Sequence, residues 1–286
     1  MPGIADVVTA LFVPGDRPDR FAKAAASGAD LVIVDLEDAV GDGDKAAARE
    51  HVRSALIGSP PLGAAVRIDG TSPADLELVT GIAESPGHGL LAVVVPKAAD
   101  PDALSRIARS VPGIPLIALV ESARGLANAR ALAEVAGVER FALGALDLAV
   151  DLGVGADPGS PAAREALLIA RSTLVLESRL AGLGAPIDSP ATDFRDPLVA
   201  EEDARYAAGL GFGGKLCIHP AQVPAVRRGF APTPAQRAWA LRVLGAPDAE
   251  AAAFQLDGHM VDLPVVLRAR RILAHPEAQP EAPAAD

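Results

Sequence analysis

Residues 90–120, LLAVVVPKAADPDALSRIARSVPGIPLIALV, hold one complete strand–helix–strand pattern. An apolar, β-prone run, Leu90–Pro96, is followed by Asp102–Ser110 with helical patterning and then by a second apolar run, Pro115–Val120. Neither run alternates apolar with polar, so each strand is buried on both faces. A parallel sheet covered by helices meets that demand.

The same unit recurs on both sides. Upstream lie the apolar runs Thr9–Pro14, Leu31–Leu36 and Ala65–Ile68, and downstream Arg140–Leu143, Leu183–Ile187 and Lys215–Ile218. Between them Arg17–Ser27, Asp44–Leu56, Ala123–Val135 and Pro161–Leu180 are rich in Ala, Leu, Arg and Glu at helical spacing. Eight such units in roughly 220 residues predict a (β/α)₈ TIM barrel rather than an open doubly wound sheet. The long stretch between the sixth and seventh runs predicts an extra helix or loop. Beyond the eighth run, Thr233-Pro234 opens a helix containing Trp239 and Leu241, a loop is expected around Asp257-Gly258, and Val265–Leu273 reads as a last helix. The expected organisation is a catalytic barrel over residues 1–230, a C-terminal helical extension over 231–275 and a flexible tail over 276–286.

Composition narrows the function. With 50% apolar and 22% charged residues the chain is globular, and a net charge of −11 without a basic stripe argues against nucleic acid as a partner. Cys217 is the single cysteine, so no intrachain disulfide forms. The first residues lack a basic start and apolar core, and no apolar run approaches a membrane span, so a cytoplasmic location without membrane attachment is expected.

Chemistry in such a barrel occurs at the carboxyl ends of the strands. There the sequence places Asp35, Glu37 and Asp38 after the second run, Arg67 inside the third, Glu121 after the fifth and Asp147 after the sixth. Desolvating these charges is costly unless they are paired or hold a cation, although a solvated rim or a helix cap also explains carboxylates of this kind. Two carboxylates from neighbouring strands, with no cysteine or histidine pair nearby, favour a hard cation bound by oxygen, Mg²⁺ with Mn²⁺ as a substitute, over zinc. Of the five histidines only His219 follows a strand, and a backbone-bonding role suits it as well as catalysis. Gly209–Lys215, GLGFGGK, has P-loop spacing but precedes a strand and is followed by Leu216, so a tight helix-to-strand turn is expected. No G-x-S-x-G elbow is present.

Several motifs, in order, resemble one family: Leu11–Phe21 (LFVPGDRPDRF), Asp35–Val40 (DLEDAV) with Lys45 and Arg49, Val66–Ile68, Leu119–Gly125 (LVESARG), Gly144–Gly153 (GALDLAVDLG), Gly214–Pro220 (GKLCIHP) and Gly258–Pro264 (GHMVDLP). The stretch they span, about residues 9 to 273, is similar to the citrate lyase β-subunit-like proteins of the HpcH/HpaI aldolase group in the phosphoenolpyruvate/pyruvate barrel superfamily. The resemblance implies a Mg²⁺-dependent carbon–carbon lyase acting on 3-hydroxyacyl thioesters of the citryl, citramalyl or malyl type, carried on coenzyme A or an acyl carrier protein. It implies Glu121 and Asp147 as metal ligands, Arg67 on the substrate oxygens, and Glu37 and Asp38 lining the pocket. Asp262 would be an acid/base supplied by a C-terminal segment covering a neighbouring subunit's barrel, in a homo-oligomer such as a trimer or hexamer. Arg17, Arg20, Lys45 and Arg49 stand where they could meet a nucleotide phosphate. A pyruvate-type aldolase on free hydroxy-keto acids, an acyl-CoA thioesterase and a non-catalytic acyl-CoA-binding subunit are the alternatives.

Overall fold

In the computed structural model, which describes residues 3–157, 159–246 and 253–275, the eight apolar runs are eight parallel strands. They are β1 (Thr9–Pro14), β2 (Leu31–Asp35), β3 (Ala64–Arg67), β4 (Leu90–Val95), β5 (Leu116–Val120), β6 (Val138–Leu143), β7 (Ile187–Asp188) and β8 (Gly214–Cys217). Each pairs with the next, and β8 returns to β1 with Ala10 opposite Leu216, so the sheet closes into the expected barrel.

Burial on both strand faces separates two apolar layers. Ala10, Ile33, Ala65, Ala92, Val94, Ile117, Leu119, Ala142, Ile187 and Leu216 pack together as the barrel interior. Their strand neighbours Leu11, Val32, Val34, Val66, Val93, Ala118, Phe141 and Cys217 pack instead against helix residues such as Val52, Leu78, Leu104 and Leu174. The amino-terminal end of the barrel is closed by the residue 3–7 segment. There the fully buried Arg140 donates from Nη1 to the carbonyls of Ile4 (3.0 Å) and Val7 (2.6 Å), and from Nε to that of Ala185 (2.5 Å). Burial pulls this guanidinium down to about 10.

Three expected elements change. The seventh strand, expected at Leu183–Ile187, is only Ile187–Asp188, because Pro186 has no N–H to give a ladder. Ion pairs tie it in place: Asp188 accepts from Arg171 Nε (3.1 Å) and Lys215 Nζ (2.9 Å), and Lys215 also meets Asp203 (2.8 Å). The helices expected over 123–135 and 161–180 each break, into Ala123–Ala127 with Ala129–Ala133 and into Pro161–Ala166 with Leu168–Leu180. The first break falls at Asn128, whose amide donates to the Ala99 carbonyl (2.7 Å). The β6–β7 connection does carry extra helices, Ala145–Asp151 and Pro161–Ala166. In GLGFGGK, Gly211 caps helix Pro197–Leu210 at φ 99°, and a Cβ on Gly214 would strike the Val7 carbonyl, so these glycines make a turn and a close strand approach.

The chain divides at Phe230/Ala231 into two compact units. The second contains helix Pro234–Leu244, opened by a capping box between Thr233 and Gln236, and helix Leu263–Ala274. Where a loop was expected there is an antiparallel hairpin, β9 (Ala253–Leu256) and β10 (His259–Asp262). Its turn residues Asp257 and Gly258 have φ of 51° and 80°, the pair of positive values a two-residue type I′ turn requires. Ala240, Val243, Val261, Val266 and Ala269 form this unit's core. The expected tail, 276–286, lies outside the described residues. Among the described residues no helix is long and apolar enough to cross a membrane.

Candidate active site

The carboxyl ends of β2 and β3 are locked together by charge. Asp35, the last residue of β2, is buried and accepts from Arg67 Nε (2.7 Å) and Nη2 (2.6 Å), a two-pronged pairing, while also accepting the backbone N–H groups of Glu37 (2.9 Å) and Ala39 (3.1 Å). Its oxygens are thereby committed, and the Asp35–Ala39 turn is shaped around them. Arg67 ends β3 with 12% of its side chain exposed, over the Phe12 ring at 4.7 Å, and its Nη1 lies 3.1 Å from Glu37 Oε2. Burial would lower its pKa, but the facing carboxylates of Asp35, Glu37 and Asp38 more than reverse this, so the guanidinium stays charged. Donors on Nη1 and Nη2 remain for a substrate.

Glu37 is buried and sits between two cations, with Oε1 2.7 Å from Lys97 Nζ and Oε2 facing Arg67. Burial still outweighs them and raises its pKa. Asp38 is exposed, 3.8 Å from Lys97 and 3.9 Å from Arg67. Glu121 follows β5 and is 4% exposed; its Oε1 accepts the backbone N–H of Lys97 at 2.7 Å. Burial pushes its pKa up to about 7, the Lys97 N–H opposes the rise, and the negative charges of Glu37 and Asp147 add to it. Asp147 is exposed in the first turn of helix Ala145–Asp151, directly after β6. Gly144 precedes that helix because any Cβ there would overlap the Glu121 side chain.

Thus Glu37, Asp38, Arg67 and Glu121 meet through Lys97 and Arg67, and Asp147 bears on Glu121 through its charge. Among the described residues no three histidine, cysteine or carboxylate groups gather as a metal cage. Glu121 and Asp147 supply a two-carboxylate oxygen set, suited to a hard cation that keeps waters and substrate as its other ligands. A cation beside Glu121 would offset the burial, and the lesser repulsion from Glu37 and Asp147, that lift it to about 7.

The four cations expected near a nucleotide fare differently. Lys45 donates to the carbonyls of Leu36 (2.6 Å) and Glu37 (2.7 Å), and Arg49 pairs with buried Asp75 (2.9 Å), so both hold the protein's own turns. Arg17 pairs with exposed Asp19, and Arg20 is exposed. Asp262 lies on the C-terminal unit, where its Oδ1 accepts the N–H of Val265 (3.3 Å) and caps the last helix. His219 stacks on Phe194 at 5.5 Å, and its Nδ1 accepts the N–H of Ala221. A cleft of about 740 Å³ opens beside the site, lined by Glu37, Asp38, Asp69, Lys97 and Arg124 but by neither Glu121 nor Asp147.

Residues 9–220 match the model of the HpcH/HpaI aldolase/citrate lyase family. The chain belongs to that family. It is 38% identical over 268 residues to a citrate lyase subunit beta-like protein of Mycobacterium tuberculosis, covering 92% of this chain and 93% of that one. It is 32% identical over 279 residues to a (3S)-malyl-CoA thioesterase of Cereibacter sphaeroides, covering 94% of each. The crystal structure of the CitE protein from M. tuberculosis, in complex with magnesium, acetoacetate and coenzyme A, superimposes with a TM-score of 0.81 at 36% identity, over 94% of this chain and 98% of that one. The resemblance read from the motifs is borne out, and with it the assignment to a family of carbon–carbon lyases.

Lys97 was not singled out from sequence. The signal was available, since it follows the apolar run Leu90–Pro96 as directly as Glu121 follows Pro115–Val120.

Proposed function

We propose that this chain is a Mg²⁺-dependent lyase that cleaves a 3-hydroxyacyl-coenzyme A thioester, of the malyl, citramalyl or citryl type, into an α-keto acid and a shorter acyl thioester. The observation that carries the reading is the buried Glu121 carboxylate, pushed to about 7, beside Asp147 at the next strand end, with the Arg67 fork held on the same mouth by Asp35. The magnesium in the related CitE structure supports the choice of cation.

The scissile bond joins the hydroxyl-bearing carbon to the α-carbon of the thioester. As the hydroxyl loses its proton its oxygen becomes the keto oxygen, the bonding pair passes into a thioester enolate, and a proton added to the enolate carbon completes the acyl product. Mg²⁺, held by Glu121 and Asp147, would supply electrophilic stabilisation of the oxygen that becomes the keto group. Arg67 binds the carboxylate of the departing keto acid through its remaining Nη donors. Asp35 fixes the plane of the fork, so that orientation costs nothing at the moment of reaction. Glu37 and Asp38 line the pocket behind it. Asp262 is the acid/base, delivered by the C-terminal unit (residues 231–275) of a neighbouring copy in a homo-oligomer. Arg17 and Arg20 meet the phosphates of the carrier, whereas Lys45 and Arg49 act by holding the turns beneath.

A thioesterase reading is favoured by the malyl-CoA thioesterase relative. Incubation of the purified chain with Mg²⁺ and malyl-, citramalyl- or citryl-CoA separates the two. The lyase releases an α-keto acid with no free thiol; a thioesterase releases coenzyme A thiol and the intact hydroxy acid. Thiol release without keto acid on every thioester would overturn the lyase assignment.

A further inference from the structure

Lys97 stands two residues beyond β4, after Pro96, with a backbone φ of 50°. That is left-handed territory, which a lysine enters only when its surroundings fix it there. The only other non-glycine with positive φ among the described residues is Asp257, in its hairpin turn. Lys97 follows Pro96 in a turn at the end of the β4 run, at a position where a positive φ is ordinarily taken by glycine or asparagine. What its conformation achieves is visible in its two partners: the backbone N–H points to Glu121 Oε1 (2.7 Å), and the side chain reaches Glu37 Oε1 (2.7 Å) while 62% exposed at the edge of the cleft.

We propose that Lys97 is a positioning residue of the active site with two separable roles. Its main-chain N–H holds one oxygen of Glu121, leaving the other to face the cation. Its ammonium holds Glu37, and Glu37 in turn faces Arg67 Nη1 at 3.1 Å, so the lysine sets the tilt of the fork that receives the substrate. Asp35 grips the Nε and Nη2 edge of Arg67, and Glu37 is the nearest carboxylate on the Nη1 side. Without Lys97 that side keeps its carboxylates but loses the cation that places them. The inference rests on the lyase reading for the fork's target, but not for the Glu121 contact.

The two roles are tested by substitutions that split backbone from side chain. Glycine adopts φ near 50° freely, so Lys97→Gly keeps the N–H and removes the ammonium. Lys97→Val is β-branched and resists that conformation. Lys97→Arg keeps a cation. Calorimetric titration of substrate-free protein with Mg²⁺ is expected to give Lys97→Gly an affinity within about threefold of wild type and Lys97→Val one weakened about tenfold or more. In turnover, Lys97→Gly is expected to lose about 30-fold in kcat with little change in the thioester KM, and Lys97→Arg to recover most of it. Wild-type kcat in Lys97→Gly overturns the ammonium role, and wild-type Mg²⁺ affinity in a folded Lys97→Val overturns the backbone role. Should Lys97→Val not fold, the amide proton resonance of residue 97 decides: it is expected to move on Glu121→Ala substitution, and an unmoved resonance overturns the contact. The titration and resonance need no substrate, so a wild-type protein that yields no keto acid sinks the lyase reading and leaves the Glu121 contact to be judged separately.

Discussion

Replacing Glu121 by glutamine probes the electrostatics of the site before any substrate is needed. Glutamine is nearly the same shape and can still accept the Lys97 N–H, but carries no charge. In the wild-type protein burial lifts the Glu121 pKa from 4.5 to about 7. The folded state therefore binds this proton more tightly than the unfolded chain, and its contribution to stability is complete below about pH 4.5 and is lost as pH rises through about 7. At about 1.36 kcal/mol per pH unit, the ionised carboxylate destabilises the metal-free fold by about 3 kcal/mol at pH 8 and about 2 kcal/mol at pH 6. Glu121→Gln escapes this load. Thermal unfolding in EDTA should show the variant more stable than wild type at both pH values, with the gap widening by about 1.3 kcal/mol, or about 3–5 °C, between pH 6 and 8. Saturating Mg²⁺ should then raise the melting temperature of the wild type and leave the variant unmoved. A gap that stays constant with pH would refute the argument, because it would mean that Glu121 titrates with its ordinary value in the fold.

Arg67→Lys is expected to lose nearly as much activity as Arg67→Ala, since an ammonium cannot span both oxygens of Asp35 and present donors to a substrate as well; near-wild-type kcat in the lysine variant would refute it. Gly144→Ala should retain the fold at a cost of about 1–3 kcal/mol but weaken Mg²⁺ binding in calorimetry, because its methyl group displaces the Glu121 side chain; unchanged affinity would refute it. Asp262→Ala and Glu121→Ala should each be inactive alone yet regain partial activity when their subunits are exchanged, if Asp262 acts across an interface. Full activity of Asp262→Ala would leave only its helix cap, worth about 1 kcal/mol in a melt.

The barrel was legible because each apolar run had to bury both faces, a demand written in the residues themselves. The short β7 was less so, as Leu183 and Gly184 look like strand residues until Pro186 is weighed against the ladder it cannot join. The hairpin at Asp257-Gly258 was a failure of weighting: an Asp-Gly pair is a strong turn signal, but the flanking Phe254-Gln255-Leu256 is short enough to pass as loop. In the site, the carboxylates were found because a strand end aims them at the mouth. Partnership was not legible. That Lys45 serves two carbonyls and Arg49 serves Asp75 depends on contacts made 8 to 26 residues away, and the positive φ of Lys97 leaves no mark in composition.

The contact that closes the barrel's amino-terminal end also sets a schedule. Arg140 reaches carbonyls 133 and 136 residues earlier in the chain. At a synthesis rate of about 5–20 residues per second, the first residues wait on the order of ten seconds or more for the side chain that will hold them. Until β6 has left the ribosome that end has no plug, and until β8 follows, β1 remains an open edge. A nascent chain of this kind is most exposed to mispairing just before its last strand emerges, so a pause in synthesis is least tolerated until β8 has left the ribosome.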